Sequence, residues 1–454
     1  MKQKKLFKDE EQGTPGDEVA EGASSDAIDR SPDDEGSSSL PGGDPADLDG
    51  SGGDGAAPNG EADGDFDDTE AGDETDEEEA EQDEEPEDEA EEEEEEEEED
   101  EQETDEEWAL AAAKRASSAG GIASRRAGNP SVPAPRRAIF AGAVLGGAIG
   151  DAMGHPTEFI SSFSAIRSKY GPRGVTGYEL YWDRGGKRFA PYTDDTQMAE
   201  VVLRTLLNAR EQGSDIDETM REMAQGFIQW ADHPQGGHRA PGGACMSGCR
   251  ALARGVHWSK AGGATAGGCG SVMRAYPFGL LFADDLARAE RWSVAHSKLT
   301  HRDPIALAAC AAMAVGMARI VRGDPVLTVA SEMVGAACRY SPPTAAMIAR
   351  AIEEARTGVK PEVTLNRLRA WAAHEAIAAA VYLFVRHPDD PAAAILEGAN
   401  TPGDSDSIAT LAGAMLGARC GLDALPSEWV RDVERSDELL DLALRAAAPP
   451  ADRG

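Results

Sequence analysis

Aromatic residues make up only 5% of this 454-residue chain, and none of its six cysteines stands in a C-x-x-C pair. Thiols scattered at Cys245, Cys249, Cys269, Cys310, Cys338 and Cys420 give neither a disulfide framework nor a zinc ribbon. Reduced cysteines are therefore expected, and Cys245-x-x-x-Cys249 alone does not make a zinc site. No apolar core follows the start Met1-Lys2-Gln3-Lys4-Lys5, so no secretory signal is expected. The apolar run Ile139 to Ile149 is about half of what a bilayer requires, which predicts a cytoplasmic chain with no membrane partner. Alternating β patterns are scarce too, and neither a Rossmann fold nor a hydrolase sheet finds its strands.

What the chain has in excess is acid: 85 acidic against 43 basic residues, a formal net charge of −42. The imbalance is local. Before Trp108 lie 49 of the acidic and 5 of the basic residues, so this leader carries about −44 and the remainder is close to neutral. Residues 1–107 are built from Asp, Glu, Gly, Ser and Pro, with an uninterrupted acidic run from Glu91 to Glu101. Such a composition cannot bury enough apolar surface to offset its ordering entropy. It is expected to be a disordered, solubilising tail, open to a basic partner and not to direct nucleic-acid binding. Trp108 to Lys114 has the pattern of a turn or two of helix within a Gly/Ser/Pro/Arg linker over 108–135.

From about 136 to 448 the pattern is helical nearly throughout, an all-α domain. Asp195 to Gln212 carries Met198, Val201, Val202 and Leu206 at helical spacing and stops at Gly213. Asp303-Pro304 opens an Ala-rich run that reaches Ile320. Leu365 to Arg386, Ala392 to Gly398, and Ser405 to Cys420 have the same form. Gly142, Gly146 and Gly150 recur every four residues, which on a helix makes a smooth face for close packing. Their spacing does not match G-x-G-x-x-G.

Two acidic clusters lie more than two hundred residues apart, Tyr192-Thr193-Asp194-Asp195-Thr196 and Gly403-Asp404-Ser405-Asp406-Ser407, each just before an apolar helix. Either could be a helix cap, and Asp194 with Gln197 has capping-box spacing. Capping needs one acceptor, however, and adjacent like charges cost energy unless a cation or the helix dipole offsets them. Carboxylates and hydroxyls together suit Mg²⁺ or Mn²⁺ rather than zinc or copper. A third acid, Glu158, follows Gly154 and Pro156, which end the preceding helix and throw it into a loop where a mobile acid could gate or protonate.

The segments Gly142 to Glu158, Tyr192 to Met198, Gly268-Cys269-Gly270-Ser271-Val272-Met273-Arg274, Leu299-Thr300-His301 and Gly403 to Ala409 occur in an order that resembles the ADP-ribosylglycohydrolases. The likeness runs from about Arg136 to Glu428 and leaves the leader out. It implies a compact orthogonal helical bundle with two divalent cations, Mg²⁺ or Mn²⁺, at one end of a cleft. By that likeness Thr193, Asp194 and Asp195 supply one side of the metal pair, and Asp404, Asp406 and Ser407 the other, Ser407 replacing the commoner Thr. Glu158 corresponds to the acidic loop residue, and proton transfer falls to Glu158 or to a metal-bridged aspartate such as Asp404, with Asp195 beside it in the catalytic set. Gly268, Cys269, Gly270, Ser271 and His301 would line the ADP-ribose pocket. Glycine there lets backbone N–H groups approach a diphosphate. Cys269 stands where many relatives carry Asn, and the loop Arg239-Ala240-Pro241-Gly242-Gly243 lacks the Asp of some arginine-specific members.

The activity implied is hydrolysis at the anomeric carbon of ADP-ribose, releasing it from a protein side chain or another acceptor. Two rivals remain: a metal-dependent phosphohydrolase using Asp404-Ser405-Asp406 as a D-x-D motif, and a non-catalytic ADP-ribose-binding module with an acidic interaction tail.

Overall fold

The computed structural model describes residues 135–448. The leader 1–107, the Trp108 to Lys114 stretch and the linker up to residue 134 lie outside the described residues. Those described form seventeen α-helices and one small hairpin. The hairpin pairs Trp182–Arg184 with Lys187–Phe189 antiparallel, Trp182 opposite Phe189. The domain is all-α, as its periodicity predicts.

Two helices carry the architecture. The first, Arg136–Gly154, is buried from Ile139 onward and lies against Ser405–Cys420, itself buried from Ser405 to Ala418. A methyl group at Gly142, Gly146 or Gly150 would overlap the carbonyl oxygen of Gly417, Gly413 or Ala409. The two backbones therefore touch along their length, and only hydrogen fits between them. The contact ends at Gly154, where an added Cβ would lie 2.5 Å from the Asp406 Cα. Close packing of glycines thus presses the end of one helix onto the acidic start of the other.

Asp194–Gln212 begins beside that junction and ends at Gly213 in the left-handed conformation. Ala199, Leu203 and Leu207 face the larger apolar core, while Met198, Val202 and Leu206 face a second cluster with Phe227 and Trp230. The capping box suggested by Asp194 and Gln197 does not form. Thr193 is the cap and Asp194 the first helical residue; Gln197 instead donates to Gln235 O and Gly237 O and accepts from Trp230 Nε1.

The Ala-rich helix Pro304–Val321 is capped by Asp303. This helix and the segment Arg136–Thr157 are long and apolar enough to cross a membrane, yet 72% and 89% of their apolar windows are buried within the domain. Core packing accounts for their composition. The single helix expected over Leu365 to Arg386 is broken. Pro361–Arg367 ends, and Ala373–Arg386 starts after a five-residue loop. Tertiary bonds set the break: Asp404 N–H donates to Arg369 O at 2.9 Å and Ala373 N–H to Gly267 O at 2.8 Å, with Ala370 at φ +64° between them.

Candidate metal centre

The site is organised by Asp151, one turn before the end of the first helix and fully buried. Its Oδ1 accepts the Thr193 N–H at 2.8 Å, and its Oδ2 accepts the Thr196 N–H at 2.9 Å and the Thr196 hydroxyl at 2.6 Å. One carboxylate thereby fixes the turn that presents Thr193, Asp194 and Asp195. Just upstream, Arg239 donates to Tyr192 O and pairs with Glu434, both side chains buried. Arg239 is thus a buried prop, and the loop it begins leads into the helix Gly243–Ala253.

The second cluster interlocks with the first. Thr193 Oγ1 donates to Asp406 Oδ2 at 3.3 Å, and Ser407 Oγ donates to Asp195 Oδ2 at 3.0 Å. Cys269 Sγ reaches Asp404 Oδ2 at 2.7 Å and lies 3.7 Å from Ser407 Oγ. Thr193, Asp194, Asp195, Asp404, Asp406 and Ser407 are all buried, none more than 6% exposed.

Glu158 joins from a short 3₁₀ turn, His155–Thr157. His155, Glu158 and Asp406 bring one donor atom each within 4.8 Å of one another. The loop carrying Glu158 is hydrogen-bonded to the second cluster's segment. Thr157 Oγ1 donates to Ala399 O and lies 3.0 Å from Ser405 Oγ, and the Phe159 N–H donates to Gly403 O at 2.9 Å. Glu158 Oε2 makes no hydrogen bond, nor does His155 Nδ1, though the two atoms stand 3.5 Å apart.

Burial pushes the carboxyls of Asp194, Asp195 and Asp406 well above the ordinary carboxylate range. Their acidic neighbours add to the effect: Asp151 most for Asp194 and Asp195, Asp404 most for Asp406. Burial also raises Asp151 and Glu158, against hydrogen bonds from Thr196 and Thr193 in the one case and the nearby His155 in the other. Among the described residues, none of Asp151, Asp194, Asp195 and Asp406 is ion-paired with lysine or arginine. Several desolvated carboxylates without a cationic partner are costly. A donor set of carboxylates and hydroxyls with one imidazole, two of its buried atoms unbonded, fits a hard divalent cation.

Beside the cluster opens a cleft of about 420 Å³, lined by Thr265, Gly267, Gly268, Ile305, Trp371 and Glu375 among others. Gly268 faces it, and Cys269 joins it to Asp404. Gly270, Ser271 and His301 lie behind the turn as its support. Ser271 Oγ accepts from Ser297 Oγ at 2.9 Å. His301 is 2% exposed, with Nδ1 2.8 Å from Thr300 Oγ1, and burial together with the Arg274 charge pushes its pKa down to about 3. It is a neutral imidazole. Arg274, fully buried, donates to Gly270 O and to Thr300 Oγ1 at 2.6 Å, tying the turn to the His301 segment. Cys245 Sγ lies 3.3 Å from the same guanidinium, and all six cysteines are free.

Sequence reasoning missed Asp151 and His155 as members of the site, although both stand inside the Gly142 to Glu158 segment. Asp151 stands one turn before Gly154 and His155 immediately after it, positions that do not by themselves specify a role.

Fold and site together define a class, an all-α domain with a buried oxygen-donor cluster at the edge of a cleft. A family model described as ADP-ribosylglycohydrolase matches residues 132–453, and the chain belongs to that family, as a hydrolase of the ADP-ribosylhydrolase type. It is similar to ADP-ribosyl-dinitrogen reductase glycohydrolase of Rhodospirillum rubrum, 27% identical over 66% of this chain and 95% of the relative. An ADP-ribosylarginine hydrolase of Pseudomonas putida is 27% identical over 66% of this chain and 76% of its own. A solved ADP-ribosylglycohydrolase-related protein complex superposes with a TM-score of 0.52 at 24% identity, over 69% of this chain and 98% of that one. That likeness supports the fold alone.

Proposed function

We propose that the chain hydrolyses the glycosidic bond joining ADP-ribose to a protein side chain or another acceptor, reversing mono-ADP-ribosylation. In this reading two divalent cations, Mg²⁺ or Mn²⁺, are held by Thr193, Asp194, Asp195, Asp404, Asp406 and Ser407. Such ions supply Lewis acidity and lower the pKa of a bound water. The observation that carries the reading is the interlock of clusters distant in sequence, Thr193 to Asp406 and Ser407 to Asp195.

The protein's own groups have separable tasks. Glu158 Oε2, buried and without a hydrogen bond, is placed to take or give a proton beside the cluster. Cys269 orients Asp404 through its thiol. Gly267 and Gly268, which line the cleft, let the diphosphate approach the backbone closely. Cleft and cluster are neighbours, so a ribose held in the cleft directs its anomeric carbon toward the carboxylates.

Asp195→Asn combined with Asp406→Asn is expected to abolish ADP-ribose release under saturating Mg²⁺ and Mn²⁺. Retained turnover would remove these residues from the mechanism. Arg-, Ser- and Asp/Glu-linked ADP-ribosyl peptides, incubated with each ion or a chelator and read by mass, identify the linkage. Binding without release in every case would favour the non-catalytic module. The phosphohydrolase reading gains no support, because Asp404 follows the helix Pro391–Ala399 where a D-x-D nucleophile needs a buried strand.

A further inference from the structure

Phe159 has a backbone suited to glycine: φ is +67°, in the left-handed region, and the residue is 64% exposed. An aromatic residue pays a steric penalty there, which persists only where the surroundings impose it. Those surroundings are identifiable. The Phe159 N–H donates to Gly403 O and the Gly403 N–H donates to Ile160 O at 3.0 Å, while Thr157 is held from inside by Ala399 O. The Phe159 ring projects outward from these bonds and stacks on Trp371, centroids 5.5 Å apart and planes at 22°. Trp371 is 46% exposed, follows Ala370 at φ +64°, and forms part of the cleft wall. Two rings, each at or beside a left-handed residue, thus meet in solvent between the Glu158 segment and the cleft. Burial does not account for the pairing, since both residues keep roughly half or more of their surface in water.

We propose that the Phe159–Trp371 stack is a latch that positions Glu158 beside the acidic cluster. Both aromatic residues are then positioning residues for the hydrolysis read above, on which this inference rests. Glu158 Oε2 makes no hydrogen bond and has only the longer approach to His155 Nδ1 at 3.5 Å, so its place is set chiefly by the backbone on either side. The Phe159 backbone is the nearest such constraint, and the stack holds its ring on the cleft side.

Phe159→Gly removes the ring and also relieves the left-handed backbone, so folding should not suffer. In the full chain with Mn²⁺, the melting midpoint is expected at or above that of the parent, while kcat falls on the order of tenfold to a hundredfold and KM stays within about twofold. Trp371→Ala should show the same kcat loss, and Trp371→Phe, which keeps a ring to stack on, should restore most of it. Without substrate, amide exchange over residues 157–160 should accelerate in Trp371→Ala. A loss confined to KM would mean that the rings touch substrate, and unchanged kcat in both truncations would mean that they do nothing; either overturns the latch. If the parent chain cleaves no ADP-ribosyl substrate, the functional reading fails by itself. The latch is then judged on exchange alone, and unchanged exchange in Trp371→Ala refutes it.

Discussion

Asp151 and the Asp194-Asp195 pair are carboxylates with opposite partners. Asp151 is satisfied by two N–H groups and a hydroxyl of one turn, whereas Asp195 gains a single hydroxyl from Ser407 and otherwise faces acids. The first is structural support, and in the proposed function the second is a metal ligand. Asp151→Asn keeps the shape but turns an N–H₂ group toward donors, which should cost about 1–3 kcal/mol of folding stability. Because the turn presents Thr193 to Asp195, Mn²⁺ affinity should also fall by roughly ten- to a hundredfold. Denaturant unfolding and a Mn²⁺ titration measure the two effects separately, and an unchanged affinity would show that the turn holds itself. The ligand candidates were legible in sequence because adjacent like charges before a helix are expensive and invite an explanation. The role of Asp151 was not legible, since nothing in Gly150-Asp151-Ala152 says that its side chain reaches a turn some forty residues on.

Between elements, the glycine ladder is the feature that sequence conveyed most directly. A four-residue repeat on a helix predicts close approach, and the Arg136–Gly154 helix makes it against Gly413 and Gly417 of its neighbour. The identity of the partner was not written in the first helix, because small residues specify only that something comes near. Gly150→Ala would drive a methyl into Ala409 O and Thr410 N, and both atoms are helix backbone that cannot rotate away. Overpacking of that kind costs about 1–3 kcal/mol or more. Since the same interface carries Asp406 opposite Gly154, Mn²⁺ affinity should fall with stability. Gly335→Ala is the control: Gly335 lies in the helix Val326–Cys338 with nothing within 4 Å of an added Cβ, so it should gain about 0.4–1 kcal/mol. Thermal melts of the two variants should move in opposite directions. The break near Ala370, by contrast, left no trace in sequence. Leu368 to Ala372 contains neither Gly nor Pro, and the interruption comes from distant partners, Asp404 and Gly267, which claim the backbone groups at its edges.

At the scale of the whole domain, helical periodicity and the scarcity of alternating β patterns were enough to predict an all-α architecture, within which the helix packing brings the acids together. The cost of that convergence appears as a dependence of stability on pH and cations. Asp194, Asp195 and Asp406 have folded pKa values raised well above 3.8, so above that value the folded state binds more protons than the unfolded one. Stability from these groups is present at acid pH and is lost as pH rises through their raised values. His296 and His301 act the other way. Both are depressed below 6.5 by burial, His301 to about 3, so their contribution is lost as pH falls below about 6.5. A melting curve against pH in chelator therefore mixes opposing slopes. The difference between melts with Mn²⁺ and with chelator separates them, because histidines outside the cluster contribute equally to both. Protons and the cation compete for the same carboxylates, so the Mn²⁺-induced rise in melting midpoint should grow as pH rises. At a free ion concentration of roughly 100 times Kd, the stabilisation should reach about 2.7 kcal/mol. Asp195→Asn with Asp406→Asn should flatten the difference curve toward zero and raise stability in chelator at neutral pH. A Mn²⁺ effect independent of pH, or one that survives the double substitution, would place the ion on other residues.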